Sequence, residues 1–373
     1  MKKILFDLSF IRSNYFTGVA KYAYRILDYI VESGLAKNYI LVANVLSENF
    51  IRSTYPQFEC VAIGHKSLSS IPLLKTLDLI LDFNLKLAKI DSNLIFCPWG
   101  NVISCWRNKK RLISVVHDMQ FRIDGTWRSR FIYACIDDLI VKNSSVIVTI
   151  SEFSRRQILS FYPNLKGRIV VLGNSVSVKE GAHGGSLVEG NYILYVGRLS
   201  KMKNVLTLVK AFARLSEKLP DYRLVLVGKK NDYWTGVLAP EIDKCNLSGR
   251  VKLIESCSEA ELSALYASAK LFVFPSLREG FGSPPLEAAL LRTAVISTKC
   301  DALEESTLGV LNYYENPLDD AELADKIMEV LSNYPSREQL ENARREILSN
   351  FSVSVVGKRI CDYLIEYNRK CER

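Results

Sequence analysis

The chain has 373 residues, of which 48% are hydrophobic and 24% charged, a composition that excludes a disordered chain and gives length enough for two globular domains. Nine cysteines and three histidines without any Cys-x-x-Cys spacing exclude a disulfide framework and a zinc site of the usual spacing, and fit a reducing cytoplasm. The net charge of +9 is held unevenly: residues 1–180 carry 24 Lys+Arg against 14 Asp+Glu, residues 181–373 carry 25 against 26. A basic first half suits an anionic partner, a membrane surface or a lipid diphosphate before nucleic acid, and equally a plain solvated basic face.

No apolar run approaches the roughly 18 residues of a transmembrane helix, and Asp7 interrupts the opening Ile4-Leu5-Phe6 too soon for a signal peptide. The expected location is therefore cytoplasmic. In chain order, residues 3–10 read as a strand, 19–33 as an amphipathic helix and 39–45 as a strand, which is the βαβ rhythm of a doubly wound sheet. Residues 93–97 and 111–117 continue as strands, 126–142 as a helix and 145–150 as a strand. The glycine-rich stretch 174–190 has the composition of a linker. Beyond it the rhythm restarts, with strands at 192–196, 223–227, 251–254, 271–274 and 294–297. Helices are expected at 204–219, 259–268, 285–291, 321–333 and 338–350. The division is thus 1–180, 181–350, and a final helix within 351–373. Neither domain's first strand is followed by Gly-x-Gly-x-x-Gly, which argues against a dehydrogenase.

Two segments carry chemistry. In Glu279-Gly280-Phe281-Gly282-Ser283-Pro284-Pro285-Leu286-Glu287, the glycines allow close backbone approach to a ligand, and the prolines suit the first turn of a helix whose positive end attracts phosphate. The two carboxylates repel phosphate, so their partners are hydroxyls of a sugar and a ribose. In Gly197-Arg198-Leu199-Ser200-Lys201-Met202-Lys203-Asn204, at the end of the second domain's first strand, Arg198 offers a planar fork for phosphate oxygens and Lys203 a point charge.

Together these segments resemble the family-4 retaining glycosyltransferases, and the resemblance spans essentially the whole chain. It implies an α/β chain of two facing Rossmann-like doubly wound domains (the GT-B fold), the first binding acceptor and the second nucleotide sugar, with a C-terminal helix crossing back to the first. It also implies that Arg198 and Lys203 hold the donor diphosphate, Glu287 the ribose hydroxyls and Glu279 the transferred sugar. Phe281, Gly282 and Leu286 fall where backbone amides touch sugar and diphosphate. In the first domain, Gly18 of Thr17-Gly18-Val19-Ala20-Lys21-Tyr22 matches a glycine loop that leaves room for donor phosphate and acceptor, and His117 of Val116-His117-Asp118 matches a histidine beside the transferred sugar. Ser151 reads as a helix cap. Asn174 and Glu255 depart from the pattern, so neither a contact by the first nor the nucleotide base is read from them.

What the resemblance implies for the reaction is a front-side, retaining transfer with no enzyme nucleophile, catalytic residues Arg198, Lys203, Glu279 and His117, and no metal or other cofactor, since Asp-x-Asp is missing. The opening strand is most similar to bacterial surface-polysaccharide mannosyltransferases, which favours GDP-mannose as donor and a lipid-linked or glycan acceptor. Another donor, a nucleotide-sugar epimerase of similar fold, and a non-catalytic sugar-binding protein are the alternatives. Finally, Trp106 through Arg111 and Arg122 through Arg130 set cations beside aromatics, and Leu74, Leu77, Leu81, Leu85 and Ala88 share one helical stripe. That stripe reads either as core or as a hydrophobic foot on an anionic inner leaflet.

Overall fold

The computed structural model describes residues 2–11, 18–65, 72–105, 111–124, 126–179 and 187–372. The chain divides into two compact units, residues 1–175 with 353–373, and residues 176–352. In the first unit seven strands run parallel: β1 Ile4–Leu8, β2 Tyr39–Asn44, β3 Glu59–Ile63, β4 Leu94–Cys97, β5 Leu112–Val115, β6 Val146–Thr149 and β7 Ile169–Val171, the five inner ones short runs buried on both faces and the edges β3 and β7 partly exposed. Their order is β3-β2-β1-β4-β5-β6-β7, with Ile4 beside both Tyr39 and Leu94. Strands buried on both faces require helices on both sides of the sheet. These are α1 Gly18–Glu32, α2 Glu48–Thr54, α3 Pro72–Leu87, α4 Val102–Cys105, α5 Gln120–Asp124, α6 Trp127–Asn143 and α7 Glu152–Phe161. Ser151 caps α7 by accepting from the Ser154 amide at 3.0 Å.

The second unit repeats the plan. Strands β8 Asn191–Val196, β9 Tyr222–Val227, β10 Val251–Ile254, β11 Leu271–Phe274, β12 Val295–Ser297 and β13 Asn312–Tyr313 lie parallel in the order β10-β9-β8-β11-β12-β13. Helices α8 Val205–Arg214, α9 Ala239–Lys244, α10 Glu259–Ser268, α11 Ser283–Leu290, α12 Leu303–Ser306, α13 Asp320–Ser332 and α14 Arg337–Phe351 accompany them. Each unit therefore has one point where strand order reverses, between β1 and β4 and between β8 and β11, and such points are where open α/β sheets bind ligands.

The last helix, α15 Val353–Cys371, belongs to the first unit and packs on α1. Gly357 makes that packing possible: a Cβ there would lie 2.4 Å from Tyr29 Cγ. Farther along, Asn368 Nδ2 donates to the Lys2 carbonyl at 2.8 Å and Arg359 to the Leu172 carbonyl at 3.1 Å.

Helix α3 settles the apolar stripe. Its core residues are Leu79, Phe83 and Leu87, whereas Leu77, Leu81 and Leu85 are 49%, 63% and 67% exposed. The helix is apolar on two faces, and the stripe read from the sequence is the outer one. The side chain of Leu74 and residues 106–110 lie outside the described residues. Helix α6 adds Trp127, Phe131 and Ile132 at 75%, 68% and 56% exposure. Because α3 packs on α4 and α4 on α6, these side chains belong to one helical layer. Arg122, by contrast, is no free surface cation: it donates to the Tyr162 hydroxyl and lies 4.5 Å from the centre of the Phe161 ring.

Candidate functional site

In the second unit the reversal point brings Lys203 to Glu279, 76 positions apart in sequence. Lys203 follows β8 through a short 3-10 turn, and Glu279 follows β11. The Leu277 amide donates to the Met202 carbonyl at 2.9 Å and ties the two loops together. Lys203 Nζ donates to Glu279 Oε1 at 2.5 Å, and Ser276 Oγ donates to the same oxygen at 2.7 Å. The two charged side chains are only 19% and 11% exposed. Burial makes such a pair depend on both members, since removing one strands the other charge at a cost of about 3–5 kcal/mol. Glu279 Oε2 has no hydrogen-bond partner among the described residues. Arg198 is exposed, and its guanidinium forms no hydrogen bond or ion pair among the described residues. Its loop is held instead through its carbonyl, which accepts from the Tyr195 hydroxyl at 3.0 Å.

Gly282 has φ +81°, and a Cβ there would lie 2.3 Å from Leu303 Cδ2, so both backbone and packing demand glycine at the head of α11. The side chains of Phe281 and Leu286 are buried in the core at 5% and 0% exposure, with Phe281 edge-on to Phe351 at 5.3 Å. What these residues can offer a ligand is backbone at the positive end of α11. Glu287, 8% exposed, accepts from the Tyr266 hydroxyl at 3.3 Å. Glu255 accepts from the Lys230 amide at 3.3 Å.

In the first unit, His117 follows β5. Its Nε2 donates to the Pro98 carbonyl at 2.9 Å, a carbonyl being unable to donate, and Tyr22 of α1 meets the ring edge-on at 4.9 Å. Burial holds its pKa below the usual histidine range against the pull of the Pro98 carbonyl and Asp118, so the ring is neutral at neutral pH and Nδ1 is an acceptor. Gly18 is the exposed first residue of α1, and among the described residues nothing stands within 4 Å of where its Cβ would be. The fold itself does not require glycine there. Asn174 is buried, and its Oδ1 has no partner among the described residues.

His117 and Asp118 also line a cavity of about 480 Å³ at the C-terminal ends of β1, β4 and β5, walled by α3, α4 and α6. Its lining is largely apolar, with Phe10, Trp99, Met119 and Tyr133 among it and Asp137 as a further carboxylate. A smaller cavity of about 320 Å³ between α11 and α14 touches none of the residues above. Among the described residues no group of three or more His, Cys, Asp or Glu is placed to hold a metal ion, and no helix is long and apolar enough to cross a membrane.

Sequence reasoning thus names residues at both reversal points but misses Ser276 and Tyr266, which position the two glutamates, and Asp137. The first two carry a signal in hindsight: a serine three positions before Glu279, and a tyrosine inside an apolar helix, where its hydroxyl needs a partner.

Residues 182–347 match the family described as Glycosyl transferases group 1. An O-antigen chain mannosyltransferase of Salmonella typhimurium is 26% identical over 70% of this chain and 74% of its own length. Another, O-antigen chain mannosyltransferase B of Escherichia coli, is 27% identical over 52% of this chain and 54% of its own, so that match spans about half of the relative. Among solved structures, sucrose-phosphate synthase from Thermosynechococcus elongatus superposes with a TM-score of 0.80, covering 99% of this chain and 100% of that one at 16% identity. The fold is that of the GT-B glycosyltransferases, and residues 182–347, a little under half of the chain, are similar to group 1 glycosyltransferases.

Proposed function

We propose that this chain is a group 1 glycosyltransferase, a retaining, metal-independent hexosyltransferase of O-antigen or capsule synthesis, moving mannose from GDP-mannose to a lipid-linked or polysaccharide acceptor. The observation that carries the reading is the buried Lys203–Glu279 pair at the β8/β11 reversal point. It holds an ammonium in place, while Glu279 Oε2 and the Arg198 guanidinium have no protein partner among the described residues. A donor fits that arrangement, its diphosphate on Arg198, Lys203 and the head of α11, a sugar hydroxyl on Glu279 and the ribose on Glu287. In the transfer, the acceptor oxygen bonds to the anomeric carbon as the bond to the diphosphate breaks. The acceptor's proton passes to a leaving phosphate oxygen, and the two cations stabilise the charge that develops there. His117, neutral, positions the sugar.

Thermal stabilisation by GDP-mannose, UDP-glucose, UDP-GlcNAc and dTDP-rhamnose tests the donor, because binding to the native state raises the melting temperature. Donor consumption is then followed with and without acceptor. Consumption that needs acceptor supports a transferase, free epimerised sugar nucleotide an epimerase, and binding without turnover a sugar-binding protein. Peripheral docking on an anionic inner leaflet belongs to the same reading. Its support is the outward Leu77, Leu81, Leu85, Trp127, Phe131 and Ile132 on one helical layer, with Arg128 and Arg130 exposed beside the aromatics. Sedimentation with anionic vesicles at low salt, weakened at high salt, is expected. Protein left in the supernatant at low salt removes the membrane from the reading.

A further inference from the structure

The first unit's cavity contains a carboxylate that the fold does not use. Tyr133, Ile136, Asp137 and Ile140 line it from α6, the spacing of a single helical face, and only Asp137 on that face carries a charge. Its neighbour Asp138 accepts from the Tyr162 hydroxyl and lies 3.6 Å from Arg122. Asp137 has no hydrogen bond or ion pair among the described residues. Burial, opposed by Arg122 and reinforced by Asp138 and Asp118, pushes its pKa up to about 6. At neutral pH the group is therefore ionised in surroundings that disfavour the charge. An ionised group kept at a loss of stability inside a cavity is the mark of a ligand-facing residue.

The lining also selects the ligand. Two carboxylates, Asp118 and Asp137, repel a phosphate, and Arg122 is already engaged by Asp138, Tyr162 and Phe161. A bare hydrocarbon would leave Asp137 without a partner. A neutral sugar meets both requirements, its hydroxyls donating to carboxylate and its C–H faces lying on aromatics. Trp99, 42% exposed, with Phe10 edge-on at 5.4 Å, and Tyr133 supply such surfaces. We propose that Asp137 reads the hydroxyls of a neutral sugar bound in this cavity, the terminal sugar of the acceptor. The acceptor role rests on the transferase reading, whereas the sugar site does not.

The test uses the full chain and Asp137→Asn, with methyl gluco-, galacto- and mannopyranoside as probes in saturation-transfer NMR and with GDP and UDP binding as the control. Wild type is expected to give a signal with at least one probe. The variant weakens it about tenfold or more, the effect of losing a hydrogen bond to a charged group. It also keeps its nucleotide affinity and melts about 2 °C higher, because the partly buried charge is gone. No signal in wild type, an equal signal in the variant, or a variant that melts lower or fails to fold each overturns the proposal. Failure of every nucleotide and sugar nucleotide to bind wild type sinks the transferase reading and leaves the sugar-site result standing.

Discussion

The two units share a strand order, yet their reversal points are finished differently. In the second unit the opposing loops are joined by a buried ion pair with an added serine hydrogen bond. In the first, the equivalent place is a largely apolar cavity edged by a neutral histidine and by Asp137, which has no hydrogen bond among the described residues. The same topology thus gives one polar floor whose loops are hydrogen-bonded to each other and one open, largely apolar pocket. Removing a charge should do opposite things in the two places: loosen the floor and tighten the pocket.

The largest effect is expected from Lys203→Ala. Turnover falls about 10²- to 10³-fold through lost charge stabilisation, and unfolding free energy falls by several kcal/mol because Glu279 is left buried and unpaired. Adding Glu279→Gln separates the two, with the urea midpoint recovering and turnover not. Recovery of both would reduce the pair to scaffold. Next comes Glu287→Ala, for which calorimetric titration should show donor affinity weakened about tenfold as the ribose loses its acceptor. Unchanged nucleotide affinity would detach Glu287 from the site.

Gly18→Ala sharpens the contrast from the first unit. The added methyl meets none of the described residues, so the melting curve should stay put or rise slightly. Turnover should still drop about tenfold or more, since small misplacements of reacting groups are costly. Full turnover would make Gly18 an ordinary helix start. The smallest stability effect is expected from Leu81→Ala on the outer face of α3, within about 0.5 kcal/mol. Its inner neighbour Leu79→Ala should cost about 2–5 kcal/mol, and only the first should lower vesicle binding.

Strands buried on both faces announce themselves as short apolar runs, which is why both sheets were readable from residue order alone. The two-residue β13, the three-residue β7 and β3, which begins with a glutamate, are too short or too polar to stand out. Helix α3 shows a firmer limit: with apolar residues on two faces, periodicity finds both stripes, and only packing tells which one is covered. Arg198, Lys203 and Glu279 could be named as candidates because each follows a strand in a loop whose residue types suit phosphate or hydroxyl, and Glu287 because it lies early in the helix α11 that the Gly/Pro segment opens. Their pairing could not be, because it depends on the strand order that brings β8 beside β11. Asp137 was invisible for a related reason, as Asp137-Asp138 on a helix reads as a solvated doublet until α6 is laid over the cavity.

The placement of α15 has a consequence for biosynthesis. The first unit is discontinuous, its opening strands waiting for a helix that begins at Val353 and reaches back to Lys2 and Tyr29. At about 5–20 residues per second, a ribosome needs roughly 20–75 s to supply that helix, whereas the second unit, residues 176–352, is complete first. Assembly should therefore run against the direction of synthesis, with the later-encoded unit compact while the earlier one still exposes α1. A protease added to a released chain truncated at residue 352 should cut the first unit and spare the second.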